Sequence, residues 1–106
     1  MRILNTVSPL QEVNIVYQHK CTVDDCSHLN SRYISFTTTA LLKRITAHLQ
    51  DGTICRHYVS EHDIVLKRKH MEQNTEILEK VNNIKRLRMM EATLIYLEKP
   101  TINIQQ

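Results

Sequence analysis

The sequence predicts a mainly α protein: two to three helices in a helical hairpin or small bundle, with an N-terminal arm of little or short β structure. Three observations predict it. Residues 60–99 run from Ser60 to Lys99 without one Gly or Pro, and Pro100 follows at once. The whole chain of 106 residues holds one Gly (Gly52) and two Pro (Pro9 and Pro100), and such scarce punctuation favours helix over loop. Ahead of that stretch Leu41, Leu42, Ile45 and Leu49 recur at helical spacing.

Taken in order, residues 1–36 read as an arm. Val13, Ile15 and Tyr17 alternate with polar residues, and Tyr33 to Phe36 forms a second short apolar run, so two short strands are expected. Between them Asp24-Asp25 reads as a turn. Residues 37–52 read as a helix, with Thr37, Thr38 or Thr39 as N-cap and Asp51-Gly52 as stop. Residues 53–59 read as a connector or short strand. Ser60, followed by Asp63, reads as the N-cap of a long helix over 60–98. Unbroken, that helix would be about 57 Å long at ~1.5 Å per residue, against a radius of gyration near ~13 Å for a globule of this size. Its apolar residues also change sides. Ile64, Met71, Ile77, Leu78 and Val81 share one face, whereas Leu87, Met90, Leu94 and Leu97 lie roughly opposite. The helix must break, most readily at Asn82-Asn83, because Asn competes for backbone hydrogen bonds; otherwise its second half packs on another subunit.

The length suits one domain over 1–106 that buries about two-thirds of its unfolded surface. With 42% hydrophobic residues, no Trp and one Phe, the core is aliphatic. A net charge of +3 permits contact with nucleic acid or an acidic surface without demanding either. Met1 to Pro9 carries one positive charge and no apolar run of signal-peptide length, and Ala92 to Leu97 is far below the ~20 residues that span a bilayer. Three Cys, an odd number, argue against a secreted disulfide framework. The expectation is a cytoplasmic chain with reduced thiols and no membrane partner.

Four groupings bear on chemistry. Cys21, Cys26 and His28, with Cys55 and His57 further on, are the residue types that ligate zinc; the set Cys21, Cys26, Cys55 and His57 is the candidate site, although C-x4-C is not the tight knuckle of a strong zinc motif. Ser60, His62 and Asp63 are the types of a catalytic triad, but consecutive positions at a helix start fan apart and cannot converge on one atom. No other catalytic motif is present, so a non-enzymatic chain is expected. Lys85, Arg86 and Arg88 form a basic run suited to phosphates, offset by nearby acidic residues. Leu87, Met90, Leu94 and Leu97 form an apolar stripe suited to a dimer or partner interface.

The run Leu41-Leu42-Lys43-Arg44-Ile45-Thr46-Ala47-His48-Leu49-Gln50-Asp51-Gly52, with Val59-Ser60, Ile64-Val65-Leu66, His70 and Ile84-Lys85-Arg86 after it, resembles the small enterobacterial biofilm and acid-resistance regulators of the AriR/YmgB type. The resemblance spans residues 41–88. It implies a short, helical, dimeric connector that biases a two-component phosphorelay or touches DNA. The linker after Gly52 is longer than in that family, Arg68 and Lys69 fall where it is apolar, and the Cys-containing arm has no counterpart. The functional expectation is therefore a small regulatory or adaptor protein that acts as a homodimer and contacts another regulatory protein, without a cofactor. A DNA-binding regulator and a small zinc-stabilised module are the alternatives.

Overall fold

The structure, a computed structural model, describes residues 9–104. Residues 1–8 of the expected arm and residues 105–106 lie outside that range. Among the described residues the chain forms a three-stranded antiparallel sheet with helices on both faces. This is an α/β fold, which corrects the expectation of a mainly α hairpin or bundle.

Both expected short strands form. β1 (Ile15–Lys20) and β2 (Arg32–Thr37) pair antiparallel, with Tyr17 opposite Ser35 and Val16 opposite Phe36. The long helix does not form. The segment contains the end of α2 (Thr53–His62), then α3 (Arg68–Asn74), the third strand β3 (Thr75–Lys80) and α4 (Ile84–Glu98). β3 pairs with the other side of β1, giving the order β2-β1-β3, with a register shift at Val16/Tyr17. The chain does reverse at Asn82-Asn83, where the Asn83 side chain accepts from the Arg86 N–H and caps α4.

The helix ends explain why residues 60–99 need no glycine. α2 ends in a left-handed cap: the Asp63 N–H reaches the Val59 carbonyl at 3.0 Å, and the Ile64 N–H reaches that of Tyr58 at 3.1 Å. Asp63 takes the left-handed conformation this needs (φ 55°), and Lys99 does the same after α4 (φ 48°). Ser60 thus lies in the last turn of α2 rather than at a helix start. The expected connector over 53–59 is likewise most of α2. α1 (Leu41–Gln50) begins at Ala40 with no side-chain cap, and Thr37 instead accepts from the Thr39 N–H. Gly52 has φ 122° between α1 and α2, a backbone state in which any side chain would be strained.

β1 is buried from Ile15 through His19, because both faces of the sheet are covered. Ile15 and Tyr17 face the larger core, which contains Ile45, Ile54, Tyr58, Met71 and Ile102. Val16 and Ile34 face a smaller core closed by Leu87 of α4. The short α5 (Thr101–Ile104) follows Pro100, and its Asn103 amide accepts from the Ile34 N–H at 2.7 Å and donates to the Ile34 carbonyl at 2.8 Å. That bidentate contact occupies backbone groups on the outer edge of β2, where an open edge would invite pairing with another chain.

The larger core also holds imidazoles. His48 of α1 is hydrogen-bonded through Nε2 to the Tyr17 hydroxyl at 2.8 Å, and His19 through Nε2 to the Tyr58 hydroxyl at 2.9 Å. Burial, and secondarily Arg44, lowers the His48 pKa from 6.5 to about 4. Burial, with His48, His57 and His70 adding to it, lowers that of His19 from 6.5 to about 3. Both rings stay neutral in the folded chain at pH values where the unfolded chain protonates them. The unfolded state then binds more protons, so stability is full above pH 6.5 and is lost as pH falls from 6.5 towards 4. The urea midpoint should fall across that window, and His48→Gln should flatten the fall; an equal slope in wild type and variant would show that His48 is not a source of it.

Candidate metal centre

Four side chains from two distant parts of the chain converge beside the larger core. Cys21 follows directly on β1, and its N–H donates to the Ser31 carbonyl at 2.9 Å, so the strand end fixes it. Cys26 sits in the one-turn 3-10 segment Asp24–His28. Lys20 ties that turn down by donating from Nζ to the carbonyls of Cys26 (3.0 Å) and Leu29 (2.9 Å). His57 and His62 come from α2, and their ring centroids are 5.3 Å apart.

The donor atoms of Cys21, Cys26, His57 and His62 all lie within 4.8 Å of one another. His62 Nε2 is 3.4 Å from both the Cys21 and Cys26 sulfurs, and His57 Nε2 is 3.7 Å from that of Cys26. In a tetrahedral site with metal–S of about 2.3 Å and metal–N of about 2.0–2.1 Å, neighbouring S and N donors sit roughly 3.5 Å apart. The three S···N separations are close to that spacing, while the four donors as a set spread over up to 4.8 Å, so the group could hold a metal after a small contraction. Cys21, Cys26 and His57 are buried, and the His62 side chain is only 6% exposed.

The electrostatics set the cost of ligation. Burial pushes the Cys21 thiol pKa up, since an isolated thiolate there lacks solvation. A bound cation supplies the compensating charge that would make the thiolate the stable form. The Tyr58 hydroxyl is also pushed up, by burial and then by the neighbouring Cys21, so it is a neutral hydrogen-bonding partner for His19. Asp24 Oδ2 lies 3.7 Å from His62 Nδ1, an electrostatic contact rather than a hydrogen bond. The carboxylate faces the ring nitrogen that ligation through Nε2 leaves over, which is the usual placement of an outer-shell partner.

The structure brings together three of the four donors expected from sequence, Cys21, Cys26 and His57, and replaces the fourth. Cys55 is half-buried against the larger core; two residues before His57, it lies about 200° away around the helix. His62 takes its place. A reading of 60–63 as a helix start hides His62, whereas its position at a helix end, five residues after His57, puts it within reach of the same point. His28 is exposed and outside the cluster.

The remaining candidates lie on α4. Leu87 is fully buried on Val16 and Ile34, Met90 and Leu94 are half-buried against the same core, and Leu97 is 64% exposed. The stripe is thus partly internal. Lys85, Arg86 and Arg88 are exposed, and at about 100° per residue they fan around the helix rather than forming one phosphate-facing row. Among the described residues no helix is long and apolar enough to cross a membrane. Comparison with protein-family models, with curated proteins and with solved structures returns no match.

Asp24→Asn keeps a residue that tolerates the left-handed backbone found there (φ 51°) and removes the charge beside His62. Metal affinity, measured by competition with a chromogenic chelator, should fall by roughly tenfold, while Cys55→Ser should leave it unchanged. A loss with Cys55→Ser as large as with Asp24→Asn would mean that the ligand set is wrong.

Proposed function

We propose that this chain is a small zinc-stabilised, non-enzymatic module. The observation that carries the reading is the convergence of two thiols and two imidazoles on one buried point. Two sulfur and two nitrogen donors in tetrahedral array suit zinc among the common divalent ions, because it combines thiolate and imidazole ligation with no geometric demand of its own. Four protein donors fill the coordination shell and leave no position for water or substrate, which is the pattern of structural rather than catalytic zinc.

The role of the ion follows from where its ligands come from. Cys21 and Cys26 belong to the β1–β2 connection, and His57 and His62 to the helix that lies over the sheet. The ion cross-links segments 31 to 41 residues apart. It also allows two buried thiols to be thiolates, so its binding free energy becomes folding free energy. The module presents its surface to another macromolecule, in keeping with the regulatory or adaptor role expected from the sequence.

Protein purified without a polyhistidine tag should contain one equivalent of zinc per chain by elemental analysis. Cobalt(II) should replace it with the visible absorption of tetrahedral thiolate coordination. Removal by a chelator should lower the melting temperature by about 10 °C or more, and Cys26→Ser or His62→Ala should do the same without a chelator. Less than about half an equivalent of zinc, together with a melting temperature indifferent to chelation, would end the proposal.

A further inference from the structure

The other face of the sheet has an opening that the metal centre does not use. At about 100° per residue, Arg86, Met89, Met90, Thr93, Leu94 and Leu97 occupy one flank of α4. That flank borders the buried Leu87 and lies at the rim of the smaller core. Met89 is 68% exposed and Leu97 64%, while Met90 and Leu94 are half-buried. Two hollows meet along it. One, of about 300 Å³, is lined by Arg86, Met89, Met90, Thr93 and Leu94. The other, of about 530 Å³, lies between α4 and β3; it shares Met90 and Leu94 and adds Leu78 with Glu76, Glu79 and Glu98. α4 rests mainly on β2 and β1, and Leu78 of β3, at the edge of the smaller core, is only half-covered. β3 is also an outer strand, and unlike β2 it has no Asn103-type contact along its outer edge among the described residues.

Charge says what covers this strip. Its first end carries Arg86, with Lys85 and Arg88 beside it; its far end carries Glu98 and, across the cleft, Glu76. This polarity opposes the helix dipole, which disfavours cations at an N-terminus and anions at a C-terminus. Within one chain it is only partly offset. Glu98 is paired with Arg32 at 2.9 Å. Glu76 accepts only the neutral Gln18 amide at 3.1 Å, and Arg86 has no ion-pair partner among the described residues. An apolar strip that is basic at one end and acidic at the other is complementary to itself turned through two-fold symmetry. The structure assigns this face to a second copy of the chain. The two α4 helices lie antiparallel, Met89, Met90, Leu94 and Leu97 of each cover the other, and Arg86 of each faces Glu76 of its mate. This self-association does not depend on the identity of the metal.

Sedimentation equilibrium of the full chain, kept zinc-loaded, tests it. Wild type should be a dimer in the micromolar range. Met89→Asp with Leu97→Asp, at two exposed positions that no core residue relies on, should raise the dissociation constant at least about tenfold. Arg86→Glu and Glu76→Arg should each weaken the homodimer, and mixing the two variants should restore association to near the wild-type level, because the reversed charges then meet. Restoration on mixing cannot come from misfolding. A wild-type monomer throughout the micromolar range, a dimer indifferent to the Met89 and Leu97 changes, or a mixture no tighter than either variant alone would each overturn the assignment.

Discussion

The burial of β1 on both faces is the constraint from which the rest of this structure follows. Five consecutive residues, Ile15 to His19, are buried, and one of them is an imidazole. A buried polar ring must be hydrogen-bonded or cost free energy. His19 meets that demand through the Tyr58 hydroxyl on one nitrogen and Thr75 Oγ1, at 3.0 Å, on the other. Tyr58 belongs to α2 and Thr75 opens β3, so one side chain at the sheet's centre holds a helix and a neighbouring strand in place. With Tyr58 fixed, His57 and His62 from the same helix stand over the end of β1, where Cys21 emerges. The Cys/His cluster is thus a consequence of how the polar core is satisfied, and not an appendage on the surface.

Elements that carry their own local signal were legible in the sequence. The alternation around Ile15 and Tyr17, the run from Tyr33 to Phe36 and the spacing of Leu41, Ile45 and Leu49 became β1, β2 and α1. β3 was not legible, because Thr75 to Lys80 is rich in Glu, Lys and Leu, residues at ease in a helix. Pairing with β1 overrides that preference, and pairing between partners as far apart as His19 and Thr75 or Ile15 and Lys80 leaves no mark in a local window. α2 was obscured by Gly52. A glycine after an apolar stripe reads as an end, and here it both ends one helix and begins the next. At the Cys/His cluster the residue types stood out while the geometry did not. The two cysteines and His57 could be picked by chemistry alone, whereas His62 required knowing where its helix stops.

Where that helix stops is itself tied to the centre. Four described residues other than glycine take positive φ: Asn14, Asp24, Asp63 and Lys99. Such backbone is disfavoured for residues with a side chain, least so for Asn and Asp, and it persists where surrounding structure requires it. Two of the four, Asp24 and Asp63, flank the ligands. Asp24 turns the chain just before Cys26 and places its own carboxylate beside His62. Asp63 ends α2 immediately after His62 and satisfies the last carbonyls of the helix. His57 and His62 both lie within α2, about 140° apart around it, and Asp63 turns the chain away directly after His62. The two left-handed aspartates thus bound three of the four donors along the chain: one turns it into Cys26 and the other turns it away after His62, and Cys26, His57 and His62 lie between these turns.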